Sequence, residues 1–205
     1  MTTLAGHGGR ANQKARTRAA IVDACGELVR SGAEVTMPEV ARRALVSEAT
    51  AYRYFPDLIS LLQEALAGAW PDPAAALAPV ARSADPAARV AFACEHLLRG
   101  VHAYQGAVRA MIAHTITAPA AARSRPGIRF GLIDYALAPF AGDASPGAAP
   151  ALAPEAMTRL KQDLAVVVSA EAFFVLTDLC GLDPDDAVAS AARTAATLTR
   201  AAFAA

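Results

Sequence analysis

The chain is poor in several things, and each shortage excludes a class of protein. Cysteine occurs three times in 205 residues, as Cys25, Cys94 and Cys180. The number is odd, the spacing wide and no CxxC present, so no disulfide framework is expected and a reducing cytoplasm is the expected location. The longest stretch without a formal charge, Ala110 to Ala122, is 13 residues long and includes Pro119. A membrane-spanning helix needs about 20 mostly apolar residues, so no membrane partner is expected. The first residues, MTTLAGHGGRANQKARTR, carry no apolar core of a secretory signal. GxSxG, Walker-type and GxGxxG motifs are missing. The GHGG near residue 6 has no strand before it. His7, His96, His102 and His114 have no ligand spacing with one another or with cysteine, and Glu95 and His96 are neighbours that diverge on a helix. No catalytic residue, metal or cofactor is expected.

What is abundant is alanine, 54 residues, the best helix former because its side chain loses no rotamer entropy. Arginine outnumbers lysine 17 to 2. The joint excess of Ala and Arg matches a GC-rich coding sequence and is given no functional weight. Strand-like alternation is nearly absent; LAVVVSAEAFFVLTDL is β-prone but belongs to an apolar pattern too long for a strand. The expected fold class is all-α. Acids and bases balance at 19 each, yet residues 1–60 hold 8 basic against 6 acidic side chains. Residues 1–14 read as a disordered basic tail.

Local punctuation divides the rest. A first helix is expected from about Arg16 to Ser31, with Ile21, Ala24, Cys25, Leu28 and Val29 on one stripe and Gly32 ending it. Thr36-Met37-Pro38-Glu39 has capping-box spacing at the start of a second helix, with Pro38 in its first turn. After Leu45-Val46, Ser47 caps a short third helix, Glu48 to Phe55. Pro56 breaks it, and Asp57 caps a fourth that ends near Trp70. Further helices are expected near 86–103, 105–117, 126–140, 155–180 and 184–203. The segment Ala141 to Pro154, with three prolines and two glycines, reads as a mobile linker.

Two short helices joined by a tight turn, behind a longer supporting helix, have the layout of a helix-turn-helix reader. On a wheel, Ala51 and Phe55 share a face that joins Val40 and Val46 in a small core. The opposite face centres on Ala49, Thr50 and Arg53, flanked by Tyr52 and Tyr54. Small residues there allow close approach to base edges, and Arg and Tyr can donate to phosphates or bases.

Residues 16–66 resemble the N-terminal domain of the TetR family of transcriptional regulators. The likeness is carried by TMPEVARRALVSEATAYRYFPDLISLL behind RAAIVDACGELVRSGAEVT, and most specifically by the A-T-x-Y-R-Y-F-P run from Ala49 to Pro56. Two positions depart from the family's pattern. Leu45 stands where a glycine is usual in the turn; positive φ there would cost roughly 1–2 kcal/mol. Leu58 stands where a phosphate-holding lysine is frequent, which implies one lost anchor and a smaller salt dependence. Arg42, Arg43 and the basic arm with Lys14 and Arg16 are the candidates to compensate. By resemblance, Thr36 contacts backbone phosphate, Ser47, Glu48, Ala49 and Thr50 meet base edges, and Tyr52, Arg53 and Tyr54 contact phosphates or bases. A carboxylate at Glu48 fits only if it accepts from a cytosine amino group.

The resemblance implies a helix-turn-helix domain over residues 15–62 and a helical bundle over 63–205 for dimerisation and ligand binding. Expected dimer-interface residues are Leu164, Val168, Val175, Leu179, Val188, Ala192 and Ala195, on two helices that would pair with their copies. Their burial inside one monomer is the competing reading. Expected pocket residues are Phe92, His96, Met111, His114, Phe130, Tyr135 and Phe173, a set that fits an apolar effector; ordinary core packing is the competing reading for each. The expected protein is a cytoplasmic homodimeric regulator, a repressor of a palindromic operator on double-stranded DNA, released by a small molecule. Two alternatives stay open: a regulator that needs no ligand, and a helical interaction protein that has lost DNA binding.

Overall fold

A computed structural model describes residues 6–66, 69–117, 127–142 and 151–204. The described residues are helical apart from turns, and an isolated bridge between Ala141 and Leu152 stands in place of any strand. The chain divides into two compact units, residues 1–69 with 103–126, and residues 70–102 with 127–205.

The first unit contains α1 (Gly6–Ser31), α2 (Met37–Arg43), α3 (Glu48–Tyr54), α4 (Leu58–Ala65) and α7 (Gln105–Thr117). Its core joins Ile21, Cys25, Leu28 and Val29 of α1 to Val40 and Ala41 of α2, Ala51 of α3, and Leu61 and Leu62 of α4. Phe55 lies in the same core, and so does Ala107 of α7. This differs from the expected division at residue 62: α7 packs with the helix-turn-helix head. α1 starts at Gly6, not near Arg16, so residues 6–14 are helical rather than a disordered tail. No proline interrupts them, and Asn12 to Arg16 lie exposed along the extension. α4 ends at Ala65, short of Trp70.

The second unit contains α5 (Pro73–Ala76), α6 (Pro86–Ala103), α8 (Ile128–Leu137), α9 (Pro154–Val167), α10 (Ala170–Phe174) and α11 (Pro184–Ala204). Short 3-10 turns follow at Ala78–Val80 and Ala138–Phe140, and a π-turn at Val175–Leu179. The bounds of α6 and α7 agree with expectation. The single helix expected over 155–180 is broken instead. Val168 leaves the helical region (φ −80°, ψ 67°), and Ser169 is extended and caps α10, its hydroxyl accepting from Ala172 N–H at 3.0 Å. The hydroxyl also donates to the Val166 carbonyl at 2.7 Å, so one serine closes one helix and opens the next. Most of the Ala141–Pro154 linker, residues 143–150, lies outside the described residues. Its ends are joined: Leu152 N–H donates to Phe140 C=O at 2.9 Å.

A buried arginine organises this unit. Arg89 on α6 is 2% exposed. Its Nε donates to Ala136 C=O (2.8 Å), its Nη1 to Val80 and Ala81 (2.8 and 2.7 Å), and its Nη2 to Tyr135 (3.0 Å). These carbonyls close α8 and the first 3-10 turn, where intrahelical donors have run out and the helix dipole favours a cation. One side chain thus satisfies several orphaned acceptors and its own buried charge together.

The packing of α9 against α8 and α11 corrects the expected dimer face. Leu164, Val168, Val188, Ala192 and Ala195 are all buried inside this unit, because the small side chains of α11 draw α9 close within the same chain. Only Val175 and Leu179 of that set are exposed.

Trp70, the only tryptophan, lies against α6 where Gly100 leaves room for its ring. A Cβ at Gly100 would stand 2.2 Å from Trp70 Cζ3. Helix propensity alone would favour alanine by about 0.5–1 kcal/mol, but overpacking of this kind costs about 1–3 kcal/mol. Gly100→Ala is therefore expected to lower stability in chemical denaturation and to shift the tryptophan emission as the ring moves. A stabilised variant with unchanged emission would show that the ring is not seated there.

Candidate nucleic-acid interface

The interface is built on two seven-residue helices, and its geometry follows from how their ends are tied. At the start of α2, the Thr36 hydroxyl accepts from Glu39 N–H at 3.4 Å, and Pro38 occupies the first turn. The reciprocal half of the capping box is replaced. The Glu39 carboxylate takes both Nε (2.9 Å) and Nη2 of Arg42, and that hydrogen-bonded guanidinium holds the Glu39 carboxyl below the usual carboxylate range.

The turn between α2 and α3 is closed at the backbone. Val46 N–H donates to Ala41 C=O at 3.0 Å, and Leu45 N–H donates to Arg42 C=O at 3.3 Å. This is the Schellman pairing, and it needs a left-handed residue between α2 and Val46. Leu45 is that residue, with φ 56°, and is the one non-glycine residue with positive φ among those described. Its side chain is 92% exposed, so packing does not reward the leucine. The strain expected from the missing glycine is present, and the turn keeps its shape.

In α3 the Ser47 hydroxyl accepts from Thr50 N–H at 3.2 Å and lies 2.9 Å from the Thr50 hydroxyl. Phe55 N–H donates to Ala51 C=O at 2.9 Å, and Phe55 then turns extended (φ −132°, ψ 108°) ahead of Pro56. Asp57 caps α4 by accepting from Ser60 N–H at 2.7 Å. Ala51 and Phe55 are buried, as the wheel predicts. Ser47, Glu48, Ala49, Tyr52 and Arg53 are exposed, and Thr50 and Tyr54 are half-buried. Leu58 is half-buried against the core, so it is a packing residue at the start of α4.

The N-terminal extension of α1 brings Lys14 to this face. Gln13, Lys14, Arg53 and Tyr54 line an open cleft of about 400 Å³, and the Arg53 guanidinium lies 5.6 Å from the centre of the Tyr54 ring. Lys14 and Arg53, distant in sequence, therefore face one space. Arg16 is exposed nearby in sequence, and Thr36 is half-buried at its cap. Arg42 and Arg43 are not open cations: Arg42 is held by Glu39, and the Nε of Arg43 by Glu27 at 2.8 Å.

Sequence reasoning missed Arg18. Its Nε and Nη2 fork onto the Glu64 carboxylate of α4 (Nε–Oε1 3.0 Å), and its Nη1 donates to Tyr54 C=O at 3.4 Å. Its guanidinium stands 4.4 Å from the centre of the Phe55 ring. The available signal was its position three residues before Ile21, which places a charge on the line of the apolar stripe.

The candidate pocket residues scatter. Met111 packs against the core of the first unit, and His114 belongs to the same unit. In the second unit Phe130 is exposed, which corrects its placement in a pocket. Phe92, His96 and Tyr135 are half-buried, and Phe173 is buried against the rings of His102 and Phe174. A second open cleft of about 480 Å³, lined by Glu34, Gln105 and Arg109 among others, includes none of them. Burial pushes the thiols of Cys25 and Cys94 up to about 12, so neither supplies a thiolate near neutral pH. Among the described residues no group of three His, Cys, Asp or Glu side chains could hold a metal, and no helix is long and apolar enough to cross a membrane.

A capped helix pair with one apolar side turned in and a polar, aromatic side turned out is a helix-turn-helix DNA-binding head. Residues 20–65 match the family described as "Bacterial regulatory proteins, tetR family". A comparison with curated proteins over the whole chain returned no match. These residues therefore form the N-terminal DNA-binding domain found in regulatory proteins of the TetR family.

The strain at Leu45 gives a stability prediction. Leu45→Gly keeps the Schellman turn and removes the left-handed penalty, at the expense of a more flexible unfolded chain. The variant is expected to be more stable by about 1 kcal/mol, read as a higher denaturation midpoint at unchanged slope. A loss of stability would mean that Leu45 does not hold positive φ.

Proposed function

We propose that the chain acts as a homodimeric repressor that lays α3 of each subunit in successive major grooves of a palindromic operator. The observation that carries this reading is the outward face of α3, with Ser47, Glu48 and Ala49 at its start and Tyr52 and Arg53 beyond them. Repression follows most simply from steric occlusion, which asks for no further contact with the transcription machinery. Two-fold symmetry calls for half-sites about 34–36 Å apart, or somewhat more. An apolar effector would release the operator by favouring a state with mis-spaced heads, and could shift that balance only by its differential affinity for the two states. The family resemblance would put the effector site in the second unit, where Phe92, His96 and Tyr135 are half-buried candidates for its lining. The buried ring group around Phe173 favours the second reading, a packed bundle that needs no ligand.

The DNA reading is tested with a duplex that the wild-type chain selects from a random-sequence pool. Arg53→Ala is expected to weaken binding by about 1–3 kcal/mol, roughly 5- to 150-fold, with folding intact. If Arg53 contacts phosphate, the slope of log affinity against log salt also falls by about one charge. Unchanged affinity in both Arg53→Ala and Tyr52→Ala would remove the reading face from α3.

The dimer reading now rests on apolar side chains that the second unit leaves exposed. Val166 is 72% and Leu179 80% exposed, with Val175 also open to solvent. Leu179→Glu is expected to convert the dimer to monomer in sedimentation at micromolar concentration, because a desolvated carboxylate at an apolar contact costs several kcal/mol. A wild-type monomer under those conditions would refute the dimer itself.

A further inference from the structure

We infer that Arg18 is a positioning residue for DNA recognition, setting the rotation of α3 from behind, with Glu64 holding Arg18 in place. The inference rests on the reading that α3 meets DNA.

A seven-residue helix has few internal restraints. Its last carbonyls have no intrahelical donor, and here Phe55 turns extended and Pro56 stops the chain. Tyr54 C=O, in the final turn, is one of these orphans, and Arg18 Nη1 supplies its donor at 3.4 Å. A cation at a helix C-terminus is also favoured by the dipole. The half-exposed guanidinium is further restrained on two sides, by Glu64, which takes two of its N–H groups, and by the Phe55 ring beneath it. Three elements, α1, the end of α3 and α4, thus meet at one planar group. The neighbours of Tyr54 in α3 are Arg53 and Tyr52, the outward side chains. A small rotation of the final turn would move both relative to a duplex seated against Ser47–Thr50.

This arrangement reverses an electrostatic expectation. Glu64 is acidic and lies in the DNA-binding head, so its neutralisation should strengthen binding to any DNA through charge alone. If Glu64 acts by anchoring Arg18, its neutralisation should instead weaken selective binding. Lysine at position 18 keeps the charge but cannot make the fork and reach the carbonyl together.

The test compares wild type, Glu64→Gln and Arg18→Lys in the full chain. Each is titrated with a duplex selected by the wild type from a random-sequence pool, and with a random-sequence duplex of equal length. Both variants are expected to lose about tenfold in the ratio of selected to random affinity, and Glu64→Gln to bind random DNA as well as wild type or better. The ratio is the informative quantity, because a variant that merely unfolds loses both affinities in proportion. A ratio within twofold of wild type in both variants, or stronger binding of the selected duplex by Glu64→Gln, would overturn the inference while leaving the DNA reading intact. If the wild type selects no duplex, the DNA reading fails and the inference falls with it.

Discussion

The outward face of α3 exists because Ala51 and Phe55 are buried. A helix of seven residues is far below the length at which isolated helices hold in water, since nucleation fixes several dihedrals for the first hydrogen bond. α3 therefore takes its structure from elsewhere. Ser47 supplies an acceptor at one end, Arg18 a donor at the other, and the two inward side chains fix which side faces the core. Given that side, the exposure of Ser47, Glu48, Ala49, Tyr52 and Arg53 follows from helical geometry alone. α2, equally short, depends on the same core through Val40 and Ala41.

That dependence explains how the turn can carry a leucine at positive φ. Full burial of a side chain such as Phe55 contributes about 1.5–3 kcal/mol, and the left-handed leucine costs about 1–2 kcal/mol. Phe55 is one of many buried side chains in that core, so the sum is comfortably favourable. The Schellman bonds from Leu45 and Val46 keep the backbone where the two helices need it. A turn can drift from its best residue when the elements on both sides are anchored independently.

What could be read from the sequence was what is determined locally. Thr36, Ser47, Pro56 and Asp57 mark helix ends by chemistry that acts within three residues, and the structure shows those caps in place. The inward pair on α3 was legible because one apolar side of a short helix leaves a single choice. The start of α1 was not, since Gly6, Gly8 and Gly9 argue against helix on local propensity alone. The break at Val168–Ser169 was hidden in an apolar run whose serine could be read as helix interior. In the alanine-rich α11, small residues suit contact with another helix of the same chain or of a copy equally well, and pattern cannot separate these. Tertiary pairings such as Arg18 with Glu64, or Arg89 with the end of α8, join residues 46 to 47 positions apart and leave no local mark.

The charges of the head show why a count of basic residues misleads. Three arginines near the helix pair are matched to three carboxylates, Arg18 to Glu64, Arg42 to Glu39 and Arg43 to Glu27. Among the described residues, Lys14, Arg16 and Arg53 have no such partner, and Lys14 and Arg53 share one cleft. On the proposed reading, the first phosphates to be held are those that reach the C-terminal side of α3 and the extension of α1. The paired arginines divide by what else they hold. Arg42 and Arg43 sit in exposed pairs, which contribute little in water, so either can exchange its carboxylate for a phosphate as a duplex arrives. Arg18 cannot make that exchange without releasing Tyr54 C=O and the Phe55 ring. On the proposed reading, its charge serves the protein's own geometry, while its neighbours' charges are the ones that can turn to DNA.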